Sequence, residues 1–121
     1  MSNKNASDWL TTELARIRLF ADCVPVSGYI NPSSSVTIAS AEQLLRALHA
    51  AGLRPKRVVH GADGEITLRF ESKEREARII VDEDDGELLF EVNRKNSRTY
   101  HYEELSSVDD AIAALRVCDI P

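Results

Sequence analysis

The chain has 121 residues, 43% apolar and 29% charged, a balance that lets one α+β domain fold without a metal or a disulfide. Its net charge of −5 disfavours non-specific binding to nucleic acid, which needs basic surface. No run approaches the ~18 apolar residues of a membrane span, and no apolar run follows the polar start Met1-Ser2-Asn3-Lys4-Asn5, so a cytoplasmic protein with reduced Cys23 and Cys118 is expected.

Residues 1–6 read as a polar, disordered tail and 7–121 as the domain. Ser7 or Asp8 can cap a first helix over Asp8–Ala21, whose stripe Leu10, Leu14, Ile17 and Ala21 has helical spacing and is expected to pack on a sheet. Trp9 lies beside this stripe and is a candidate partner contact, because Trp and Tyr are enriched at interface hot spots. The stretch Asp22–Ser34 is interrupted by Pro25, Gly28 and Pro32 and reads as a long loop, with Cys23 and Tyr29 on it. Tyr29 is a second aromatic candidate for partner binding.

Ser35 can cap a second helix, or Ser40 with Gln43 one turn later. Its stripe is Ile38, Ala41, Leu44, Leu45 and Leu48; Gly52 suits the position after its end, and Pro55 stops any continuation. A β-meander then runs from Arg57 to Glu103. Arg57–His60 is a short first strand. Asp63-Gly64 reads as a two-residue hairpin turn with positive φ at both positions, and Ile66, Leu68 and Phe70 then alternate with polar residues. Strands are expected at Arg75–Val81, at Glu87–Asn93 and at Arg98–Glu103, with Tyr100 and Tyr102 on one face of the last. Ser106 or Ser107 caps a third helix with Val108, Ala111, Ile112 and Leu115 buried and Asp109 and Asp110 in the first turn, where the helix dipole favours acids. The fold class is therefore α+β: two N-terminal helices, an antiparallel meander of four to five strands, and a C-terminal helix on the sheet.

Chemistry-bearing motifs are scarce. Asp82, Glu83, Asp84, Asp85 and Glu87 put five carboxylates in six residues, but without the alternate spacing of a calcium loop. They read as a solvated hairpin tip, or as a contact for a basic partner together with Glu103, Glu104, Asp109 and Asp110. His49, His60 and His101 have no metal-ligand spacing. No nucleophile elbow, phosphate loop or dinucleotide fingerprint is present, so no cofactor is expected and an enzyme lacks a motif. The basic groups Arg54, Lys56, Arg57 and Arg94, Lys95, Arg98 could receive phosphates if they lay side by side. An edge strand near Val58 or Tyr100 could pair across a two-fold axis and make a homodimer.

The run from Pro32-Ser33 through the helix Ala41-Glu42-Gln43-Leu44-Leu45-Arg46-Ala47-Leu48, then Gly52-Leu53-Arg54-Pro55, Arg57-Val58-Val59 and Asp63-Gly64-Glu65-Ile66-Thr67-Leu68-Arg69-Phe70, is similar to a loose group of small uncharacterised bacterial accessory proteins. In that group a Pro-rich helix start leads to Gly-x-Pro-x-Pro, a strand, and Asp-Gly-Gly-Ile-x-Leu-x-Trp. The resemblance implies an accessory role, in some members beside toxin or mobile-element genes, and no catalytic residues. The expectation is a non-enzymatic interaction module, bacterial or phage in origin, that binds and inhibits or neutralises a larger protein. The alternatives are a small ligand- or metal-binding protein or a small enzyme.

Overall fold

The computed structural model describes residues 4–22 and 31–120, with side chains from residue 9 onward. Among the described residues three helices and a five-stranded antiparallel sheet make an α+β arrangement. Helix α1 spans Lys4–Leu19 and passes into a 3-10 turn at Phe20–Asp22. It starts a turn before the expected Asp8, because nothing in Lys4–Ser7 breaks a helix; Lys4–Ala6 are therefore helical rather than tail. Leu14 and Ile17 are buried as the spacing implies. They face mainly helix α2 (Ser35–Ala50) and not the sheet, since α2 already covers strands β2 and β3.

Helix α2 is bounded by side-chain and backbone chemistry at both ends. Its N-cap is Ser34, one residue before the expected Ser35: the hydroxyl accepts the Thr37 N–H at 3.2 Å. At the other end the Leu53 N–H reaches the Leu48 carbonyl at 2.9 Å and the Gly52 N–H reaches that of His49 at 3.1 Å. This Schellman arrangement needs a left-handed residue, which Gly52 supplies at φ +75°. Leu53 is buried beyond it and turns the chain toward the sheet.

The sheet follows chain order, β1 (Arg57–His60), β2 (Ile66–Glu71), β3 (Arg75–Val81), β4 (Leu88–Arg94) and β5 (His101–Leu105), each antiparallel to the next. Period-two alternation separates two faces. On the covered face Val58, Leu68, Ile79 and Phe90 stand opposite one another in register and are all buried. Each such side chain is worth about 1.5–3 kcal/mol of burial. Ala41, Leu44, Leu45 and Leu48 of α2 close over this row, and Ala111 and Leu115 of helix α3 (Val108–Val117) complete the core beside β4 and β5.

Two expectations about the turns are corrected. The β1–β2 connection is longer than a two-residue turn at Asp63-Gly64. Gly61 N–H bonds the Glu65 carbonyl at 2.8 Å and Gly64 N–H bonds that of Gly61 at 3.1 Å. Only Gly64 has positive φ, so Asp63 keeps ordinary geometry and Gly64 takes the left-handed bulge position. The last strand starts at His101 and not Arg98. Asn96 turns the chain with φ +69°, and the Ser97 hydroxyl accepts the Thr99 N–H at 3.1 Å, a local bond that competes with the ladder.

Candidate functional site

The acidic hairpin tip is built into the fold. Asp82 Oδ2 accepts the N–H groups of Asp84 at 2.9 Å and Asp85 at 3.2 Å, and Asp85 Oδ1 accepts that of Glu87 at 2.9 Å. The Asp84 N–H, above all, holds the Asp82 carboxyl below its ordinary pKa. The tip also rests on the first half of α2. Thr37 Oγ1 donates to the Asp82 carbonyl at 2.7 Å and Ser40 Oγ to the Gly86 carbonyl at 2.6 Å, while Ser34 Oγ lies 3.4 Å from that of Glu83. Three hydroxyls at three-residue spacing thus face one strip of turn backbone. Asp84, Asp85 and Glu87 remain exposed, and Glu83 is half-buried.

Strand β5 differs from every other strand in exposure. His101, Tyr102, Glu103 and Glu104 are all exposed, Tyr102 at 58%. Among the described residues no other element bonds the outer edge of β5. Just beyond it, Ser107 accepts the Asp110 N–H at 3.2 Å and Asp110 Oδ2 accepts that of Ser106 at 3.3 Å, so this end of α3 is capped and Asp109 points to solvent. Glu87 and Glu104 line one cleft of about 490 Å³, and Glu103, Glu104 and Asp110 line another of about 460 Å³. The candidate acids Glu87, Glu103, Glu104 and Asp110 therefore gather around β5, while Asp109 is exposed in the first turn of α3 and Asp82 is turned to structural use.

The opposite edge is covered. Arg16 Nη2 of α1 donates to the Val58 carbonyl at 3.2 Å. The His60 ring stacks on Phe20 with centroids 4.6 Å apart, and its Nε2 lies 2.8 Å from the Asn31 carbonyl. A carbonyl can only accept, so Nε2 carries the hydrogen. Trp9 is half-buried with its ring 5.3 Å from that of His49, which places it within the α1–α2 packing. Tyr29 and Cys23 lie outside the described residues. Cys118 is half-buried at the end of α3, and burial, first of all, raises its thiol pKa. Among the described residues no three His, Cys, Asp or Glu side chains converge as a metal would require, and no helix is long and apolar enough to cross a membrane.

On the uncovered face of the sheet the two basic groups of the sequence meet. Lys56 and Lys95 both bond the Glu71 carboxylate, Lys56 at Oε2 and Lys95 at Oε1. These two ammonium groups, Lys56 foremost, lower the Glu71 pKa to about 2. Next to this clamp Arg57, Arg69 and Arg78 occupy one cross-strand row. Arg78 pairs with Glu91, a buried carboxylate on the β4 residue opposite it. Sequence reading missed the row, because its members belong to three strands. The signal was parity: Arg69 and Arg78 each sit between two buried residues and Arg57 precedes buried Val58, and the turn lengths bring them level.

Compared with family models, with characterised proteins and with solved structures, the chain matches none.

Proposed function

We propose that the chain is a non-enzymatic protein-interaction module that takes an extended, basic segment of a larger cytoplasmic partner onto the edge of β5. The observation that supports this reading is the uncovered β5 edge, which carries Tyr102, Glu103 and Glu104. An open edge offers main-chain hydrogen bonds to an added strand, and alternate side chains give specificity. The acids choose a basic partner and keep the edge from pairing with an equally acidic second copy. The contrast with β1, where Arg16 takes the Val58 carbonyl and Asn31 holds the His60 ring, favours β5 over the other end of the sheet. Such binding would occupy the partner's segment and so inhibit or neutralise it.

The test compares wild type with the double variant Glu103→Lys/Glu104→Lys and with Tyr102→Ala, each tagged and incubated with lysate of the source organism. A partner held through β5 is lost with the double variant, is weakened with Tyr102→Ala, and elutes from wild type as salt is raised. Retention of every partner by both variants would sink the proposal.

A further inference from the structure

We infer that the open face of the sheet carries a second site, a pocket for a small phosphate monoester gripped by Arg57 and Arg69. The strand register puts Arg57 opposite Arg69 and Arg69 opposite Arg78. Residues so placed have Cα atoms only about 4.5–5.5 Å apart, and like charges directly opposite each other destabilise a sheet. One of the three is neutralised within the fold, since Arg78 bonds Glu91. The side chains of Arg57 and Arg69 have no hydrogen bond or ion pair among the described residues. Two adjacent guanidinium forks with no carboxylate bonded to either match one doubly charged oxyanion in charge and in bidentate geometry.

The space beside them has the size of a small-molecule site. It measures about 520 Å³ and is lined by Arg57, Arg69 and Arg78, with Tyr100 on one side and Glu71 on another. Pockets for small ligands run from roughly 300 to 1,000 Å³. Tyr100 is 45% exposed and offers a ring to an organic group esterified to the phosphate. Glu71, held by Lys56 and Lys95, fixes the wall without competing for the arginines. Glu76 also lines the pocket and has no bonded partner among the described residues. Like charge keeps the phosphate away from Glu76 and toward the arginines, and the carboxylate can accept a hydroxyl on the organic group. The net charge of −5 weighs against a polynucleotide.

The test is calorimetric titration of inorganic phosphate and of phenyl phosphate into wild type, Arg57→Met, Arg69→Met and Arg98→Met. Methionine keeps an apolar stem over the sheet and removes the charge. Both probes should bind wild type, phenyl phosphate the more tightly. Arg57→Met and Arg69→Met should each weaken binding about tenfold or more, with a Tm equal to or above that of wild type because repulsion is relieved. Arg98→Met, which lies off the pocket, should bind as wild type does. Absence of binding to wild type, equal binding by the pocket variants, or equal weakening by Arg98→Met would overturn the site. A lowered Tm in the pocket variants would make the two arginines structural and overturn it as well.

Discussion

The Thr37 hydroxyl donates to the Asp82 backbone carbonyl at 2.7 Å and joins α2 to the β3–β4 turn. Thr37 is fully buried, so no water replaces it. This bond, with that of Ser40 to Gly86, sets where the acidic tip sits relative to the helix. The tip is thus a docked turn whose exposed acids are presented at a fixed place.

Thr37→Val keeps the shape and removes the donor, leaving the Asp82 carbonyl with only the Gly86 N–H at 3.1 Å. The expected cost is that of one lost hydrogen bond, about 0.5–1.5 kcal/mol by urea denaturation. Ser40→Ala at a half-buried position should cost about 1 kcal/mol. A Thr37→Val protein as stable as wild type would show that the bond contributes nothing.

The Glu71 carboxyl has a folded pKa of about 2 against an ordinary value of 4.5, set mainly by Lys56 and then Lys95. A depressed folded pKa means that the stabilisation is complete above pH 4.5 and is lost as pH falls toward 2. Asp82 is shifted in the same direction and adds to the loss in acid. Glu71→Gln should flatten the pH dependence of Tm between pH 5 and pH 2 relative to wild type. Parallel profiles for the two proteins would contradict the assignment.

Glu91 is 5% exposed and depends on Arg78, which is itself partly exposed. Arg78→Ala strands a buried carboxylate and should cost about 1–3 kcal/mol, less than a wholly buried pair because solvent reaches the guanidinium side. The double variant Arg78→Met/Glu91→Leu should recover most of that loss. A double-mutant cycle by denaturation reads the coupling directly.

The C-terminal ends of α2 and α3 each close through a left-handed residue, but only that of α2 is glycine. In α3 the Ile120 N–H bonds the Leu115 carbonyl at 3.0 Å and Asp119 bonds that of Arg116 at 3.1 Å, with Asp119 at φ +58°. A non-glycine residue there costs about 1 kcal/mol, and the Asp119–Arg75 pair at 3.8 Å is exposed and offsets little of it. Asp119→Gly should therefore raise stability by about 0.5–1 kcal/mol. Gly64→Ala should be more harmful than Gly52→Ala. Both have positive φ, but a Cβ at Gly64 meets the Pro32 carbonyl oxygen at 2.8 Å, whereas one at Gly52 meets nothing within 4 Å. Thermal denaturation of the three variants gives the order.

Periodicity alone placed the elements that matter most. The alternation of Ile66, Leu68 and Phe70 set the buried face of β2, and the stripe Leu44, Leu45 and Leu48 set that of α2, because burial acts on every second or every third to fourth residue. Ser107 was legible as a cap and Gly52 as a helix stop, since both act on neighbours a few residues away. Local sequence was weaker where two local preferences compete, as at Ser97–Tyr100, or where a turn has more than one solution, as at Gly61–Glu65. What tertiary structure decided is which distant residues meet. Glu71 joining Lys56 to Lys95, three arginines made level by register, Thr37 holding Asp82, and β1 covered while β5 stays open all depend on strand pairing and helix placement. A sequence states which side chains a strand turns outward; only the packed sheet fixes which of them become neighbours.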